Sequence, residues 1–264
     1  KLTRKALRIP GCLLRLALLA CNLPFPTEPA PTAFVPPAET ETPTTEPVDA
    51  TEPPPSAPAP CPPPPPHPRS DTRQPANPED IPATIEAYLS AGGDVPTLES
   101  TLIDWDALQT LPTPHLAAAD LTGDGHAEIT LALRTPADLL IYGCQAGGYT
   151  QLYSAQSAIP DWIPGWLPEL IQTSDMNEDG VWDVAYALST CGAHTCNKTL
   201  EIIAWDGSGF ASLMGGTLDL PYPEFTILSG RIEAQSGPIG SVGAEPQRPP
   251  IEIWEWNGSV FTHT

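Results

Sequence analysis

The chain has 264 residues, 36 prolines and a formal net charge of −21, with 32 acidic residues against 11 basic ones. This balance excludes nucleic acid as a partner, because phosphate binding needs a basic footprint, and it excludes charge-driven docking on an anionic membrane surface. About 19 of the prolines fall between Asn22 and Pro68, where no core can form, so any folded domain lies downstream.

In chain order, residues 1–20 read as an export signal. Lys1, Arg4, Lys5 and Arg8 make a basic start, and Ile9 to Ala20 is mostly apolar. A run of roughly a dozen residues is too short to span about 30 Å of hydrocarbon as a helix, but it suits a secretion signal. Leu18-Leu19-Ala20-Cys21 resembles the lipobox of bacterial lipoproteins, whose cysteine is diacylated and becomes the mature N-terminus. The resemblance implies lipidation at Cys21 and a chain anchored to the outer face of a bacterial membrane. An ordinary signal peptide with a chance cysteine is the alternative. Removal of the leader would take away five basic residues and leave a net charge of about −26.

Residues 21–80 read as a disordered linker. Pro, Thr, Glu, Ala and Ser dominate, and such composition cannot bury enough apolar area to offset chain entropy. Pro62 to Pro66 favours polyproline II, at about 3.1 Å per residue, so the segment reads as a spacer. Residues 81–114 are a helical lead-in. Ile85, Tyr88 and Leu89 share one helical face, and Leu98, Leu102 and Trp105 share another beyond Ala91-Gly92-Gly93, so two short helices are expected.

From His115 the apolar period changes to two, and the chain begins to repeat itself. Asp120-Leu-Thr122-Gly-Asp124-Gly125-His126-Ala-Glu128 is echoed 55 residues later by Asp175-Met-Asn177-Glu-Asp179-Gly180-Val181-Trp-Asp183. Trp205-Asp206-Gly207-Ser208 is likewise echoed by Trp256-Asn257-Gly258-Ser259. Residues 115–264 therefore hold three units, and each of the first two divides into four strand candidates. For the first these are Leu116–Leu121, Glu128–Arg134, Leu139–Cys144 and Tyr149–Ala155. For the second they are Leu170–Met176, Val181–Ser189, Leu200–Trp205 and Phe210–Met214. Asp-Gly and Asn-Gly pairs fall where tight hairpin turns belong. The third unit, Phe225 to Thr264, replaces the acidic turn with Ser229-Gly230 and suits a terminal cap. The expected fold is mainly β: about three four-stranded antiparallel blades forming an open or partial propeller, its exposed edge covered by the helices. A β-sandwich is the alternative.

The acidic loops have the spacing of an oxygen-ligand cage. Asp175, Asn177 and Asp179 stand at positions 1, 3 and 5, Val181 offers its carbonyl at 7, and Asp183 stands at 9. Asp120, Thr122, Asp124, the His126 carbonyl and Glu128 repeat the set. Calcium takes six to eight oxygens, and alternate residues of one short loop can supply them. Leu131 and Tyr186 stand where an EF-hand needs a glutamate, so that motif is rejected. The loops resemble FG-GAP/VCBS repeats of integrin-alpha-type propellers, which implies calcium bound between blade strands and holding the blades in shape. Plain Asp-Gly turns with surface carboxylates are the alternative.

Cys191 and Cys196 flank one short turn and suit a disulfide in an exported protein, in preference to zinc with His194. Cys144 reads as a buried thiol and Cys61 as an exposed one. No nucleophile elbow, zincin helix or phosphate loop is present, so no catalytic residue is assigned and the chain is not read as an enzyme. Trp162, Trp166, Trp182, Trp205, Trp254 and Trp256 suit packing between blades, or a sugar-binding face. Together these features point to a calcium-stabilised binding or adhesion module at the cell surface, with a protein or glycan ligand. A structural or assembly lipoprotein is the alternative, and a carbohydrate-active enzyme is less favoured.

Overall fold

The computed structural model describes Cys61 and residues 73–108, 114–192, 195–237 and 249–264. All of these fall within one compact unit, residues 55–264. The segment 1–20 read as an export signal, Cys21, His194 and most of the proline segment lie outside the described residues.

Two helices open the unit. Helix α1 (Ile81–Ser90) and helix α2 (Val95–Asp104) each carry proline in their first turn, where no backbone donor is lost to the helix. Asp94 caps α2 by accepting a hydrogen bond from Thr97 N at 2.9 Å. Ile81, Ile85, Tyr88 and Leu89 of α1 are buried, as are Leu98 and Leu102 of α2.

Thirteen strands among the described residues form three antiparallel sheets, none of them closed. The first is the meander β1 (Leu116–Ala119), β2 (Glu128–Arg134), β3 (Ala137–Gln145) and β4 (Gly148–Ser154), which runs into the one-turn helix α3 (Ala155–Ala158). The second holds β5 (Leu167–Ser174), β6 (Asp183–Cys191), β7 (Cys196–Trp205), β8 (Phe210–Ser212) and β9 (Leu218–Pro221). The third holds β10 (Glu224–Leu228), β11 (Arg231–Gln235), β12 (Ile251–Trp256) and β13 (Phe261–His263).

The second sheet has five strands rather than the expected four. Strand β8 covers only Ile203 to Trp205 of the ten-residue β7, leaving Asn197 to Leu200 with an open hydrogen-bonding edge. Strand β9 fills it, pairing Leu218 with Leu200 and Pro221 with Asn197.

The burial pattern shows how the layers stack. Ile129, Leu131, Leu133, Leu140 and Tyr142, on one face of the first sheet, share a core with the two helices. Ala132, Leu139 and Ile141, on its other face, share a second core with Leu170, Val184, Tyr186, Leu188 and Ile203 of the second sheet. Ala185, Leu200 and Ile202, on the reverse of that sheet, meet Ile227, Ile232, Ala234, Trp254 and Phe261 of the third. The order is therefore helices, sheet, sheet, sheet, with the first two sheets buried on both faces. The helices lie over a face of the first sheet, and α1 also reaches the outer edge of β4, where Ser90 Oγ accepts from Tyr149 N and donates to Tyr149 O, both at 3.0 Å, and Glu86 accepts from Gln151 N at 3.2 Å. The free face of the third sheet is mixed: Leu228 and Ile251 are exposed beside the ion pairs of Arg231 with Glu233 and Glu255, at 3.0 and 3.1 Å.

Two disulfides are present among the described residues. Cys191–Cys196 bridges directly opposed residues of β6 and β7, with a Cα separation of 4.0 Å. The second corrects the reading of Cys144 as a free buried thiol and Cys61 as an exposed one: the two are bonded to each other, with a Cα separation of 5.8 Å. The end of β3 is where this segment of the linker is tied to the domain. Most tryptophans pack. Trp162 and Trp166 lie against the second core, and Trp254 and Trp256 belong to the third, whereas Trp182 is exposed.

Candidate functional site

The two acidic loops have nearly the same backbone. Positions 4 and 6 are left-handed in both: Gly123 and Gly125 at φ 75° and 86°, Glu178 and Gly180 at 65° and 91°. Glycine suits position 6 because it alone enters this region without a Cβ penalty.

Side-chain oxygens hold this shape by accepting from the loop's own amides. Asp120 accepts from Gly123 N and Gly125 N at 2.8 and 2.9 Å, and Asp124 accepts from His126 N at 2.8 Å. In the second loop Asp175 accepts from Asp179 N and Gly180 N at 3.1 and 3.0 Å, and Asp179 accepts from Val181 N at 2.8 Å. Such Asx turns fold a loop around its first residue. Asn177 sits at the centre of its loop, accepting from Asp179 N at 3.0 Å and donating to the Asp179 carboxylate at 2.9 Å.

The position-9 carboxylates belong to the first residues of β2 and β6 and reach back under the loops. Glu128 accepts from Leu121 N and Thr122 N at 2.7 and 3.1 Å. Asp183 accepts from Met176 N and Asn177 N at 2.8 and 3.2 Å. Both residues are almost fully buried. Burial, with the neighbouring aspartates adding repulsion, pushes Glu128 up to about 7 and Asp183 up to about 6.

The turns line up along one margin of the stack. A Cβ at Gly123 would stand 3.4 Å from Val181 Cγ2, so the first loop touches the second. Ser229 of the third turn donates to Glu178 at 3.1 Å, and Gly230 N donates to Met176 O at 2.8 Å. Without an acidic loop of its own, the third unit is fastened to the second one.

The expected ligand residues thus lie on two loops of corresponding backbone. Among the described residues, no three His, Cys, Asp or Glu side chains are gathered closely enough to hold a metal by themselves. The fit to a hard cation rests on two orphaned atoms. Asp183 Oδ1 and Thr122 Oγ1 are buried without a hydrogen-bond partner, and such groups are costly unless something satisfies them. Sequence patterning cannot show these atoms, because they are orphaned only once the strands bring positions 3 and 9 under the loop. A donor set composed entirely of oxygen suits calcium rather than a soft metal.

His115 Nε2 lies 2.9 Å from Glu99 of α2, and His126 is exposed on its loop. The chain matches no known protein family, no curated protein and no solved structure.

Proposed function

We propose that the protein is an extracytoplasmic binding or adhesion module, anchored through lipid on Cys21 and stabilised by calcium in its two acidic loops. The observation that carries the reading is the paired loop geometry, in which each loop holds an oxygen that is buried and unpartnered. Asp175, Asn177, Asp179, the Val181 carbonyl and Asp183 would hold one ion. Asp120, Thr122, Asp124, the His126 carbonyl and Glu128 would hold the other. A divalent ion would offset the repulsion among these carboxylates and tie each strand end to its loop. The layered sheets then act as propeller-like blades in an open array, and their loops present the ligand-binding surface to a protein or glycan.

Thermal melts of the protein in calcium and in chelator test the reading. The midpoint should rise by several degrees with calcium and fall back with chelator. A midpoint indifferent to both would remove the metal from the proposal. Mass spectrometry of the mature N-terminus tests the anchor, and any unmodified first residue other than Cys21 defeats it.

A further inference from the structure

Between the first and second sheets lies a cavity of about 260 Å³ that the calcium reading does not use. Its floor is Tyr153 and Tyr186, whose hydroxyls share a buried hydrogen bond of 2.8 Å. Phe210, Ile159 and Pro160 form apolar walls. The charged group is Glu201 of β7. Polar and mid-strand, it would face solvent in a sheet covered on one side only, but the first sheet covers that face here.

Glu201 accepts one hydrogen bond, from Ser212 Oγ at 3.0 Å, and among the described residues no basic side chain pairs with it. A half-buried carboxylate without a counter-ion bears a desolvation cost, and burial does hold Glu201 above the usual carboxylate range. Burial raises both tyrosine hydroxyls, and the negative charge of Glu201 adds a smaller part of that rise. Pro160 and Ser212 at the rim are exposed, so the cavity opens to solvent.

We infer that this cavity binds a primary alkylammonium group, with Glu201 as counter-ion and the Phe210, Ile159 and Pro160 walls seating the carbon chain. An ammonium head has three donors, and the cavity offers carboxylate, seryl and phenolic oxygens to accept them. The Phe210 wall and the tyrosine floor add cation–π attraction. A bare metal ion would find too few hard oxygens here. A free amine and the lysine side chain of a partner share this chemistry. The site does not depend on metal in the acidic loops.

Calorimetric titration of the full chain with n-butylammonium chloride tests the inference, against potassium chloride and butan-1-ol as controls. Runs with calcium and with chelator separate failure of this site from failure of the loops. Saturable binding of butylammonium, absent with both controls and weakened at least tenfold in Glu201→Gln, is expected. Equal binding of butan-1-ol, no binding at all, or an undiminished Glu201→Gln variant would overturn it. If that variant does not fold, the wild-type comparison of butylammonium with butan-1-ol decides alone. Nα-acetyl-lysine methylamide distinguishes the sources: binding like butylammonium supports a partner's lysine, and exclusion supports a free amine.

Discussion

Replacing Asp183 in two ways separates its two tasks. Its Oδ2 accepts from two backbone amides, Met176 N and Asn177 N, beneath the second loop. Asparagine retains an acceptor for both, whereas alanine strands them. An unsatisfied buried donor costs about 1–3 kcal/mol, so the two stranded amides should cost Asp183→Ala about 2–6 kcal/mol in chelator, a loss that Asp183→Asn avoids. Because the unit falls in the size range where 1 kcal/mol moves the midpoint by about 2–4 °C, the alanine variant should melt roughly 4–24 °C lower. Calcium reverses the comparison. At a hundredfold excess over its dissociation constant, a ligand adds about 2.7 kcal/mol, or roughly 5–10 °C. Without the position-9 carboxylate the second loop should lose most of this increment, in the asparagine variant as much as in the alanine one. Calorimetric melts of the three proteins, each with calcium and with chelator, give both quantities. An asparagine variant with the full calcium increment would refute the ligand role, and an alanine variant as stable as wild type in chelator would refute the capping role.

Gly125→Ala and Gly180→Ala should each cost about 1–2 kcal/mol from backbone strain alone, since an added Cβ meets nothing within 4 Å at either position; urea titration checks this, and an unchanged midpoint would show that the left-handed turn is not required. Asp138, buried at the start of β3, accepts from Ser154 Oγ at 2.6 Å and Gln156 N at 2.9 Å, and burial raises its pKa. A carboxyl raised on folding contributes stability below its unfolded pKa and loses it as pH rises through the folded one, so Asp138→Asn should gain on wild type at pH 7 and lose that advantage near pH 4. Denaturant melts at the two pH values measure the difference, and a gap that does not change with pH contradicts the assignment. Cys144→Ser opens a loop of 83 residues and Cys191→Ser one of five; chain entropy sets upper bounds of about 4.5 and 2 kcal/mol, so the first variant should unfold at the lower denaturant concentration.

Much of the β architecture is legible because local chemistry and tertiary context agree there. The expected strand at Glu128–Arg134 coincides with β2, and the acidic turn beside it recurs 55 residues later with the same left-handed positions. What escapes prediction depends on partners distant in sequence. Strand β9 has no hairpin turn of its own and exists because β8 is too short to cover β7. The partner of Cys144 lies in a segment whose composition promises no structure. Glu201 alternates with Leu200 and Ile202 like any solvent-facing residue, and only a sheet covered on both sides turns it inward. The ligand positions can be read from spacing, but the orphaned oxygens of Thr122 and Asp183 depend on how β2 and β6 enter their loops.

The bond between Cys61 and Cys144 also determines how the domain bears tension. A pull applied through the chain before Cys61 and resisted beyond Cys144 crosses the disulfide directly and leaves residues 62–143 off the load path. Helices α1 and α2, strands β1 and β2 and the whole first acidic loop belong to that shielded segment. The second and third sheets remain in series with the load, so mechanical extension would begin there while the first loop kept its shape.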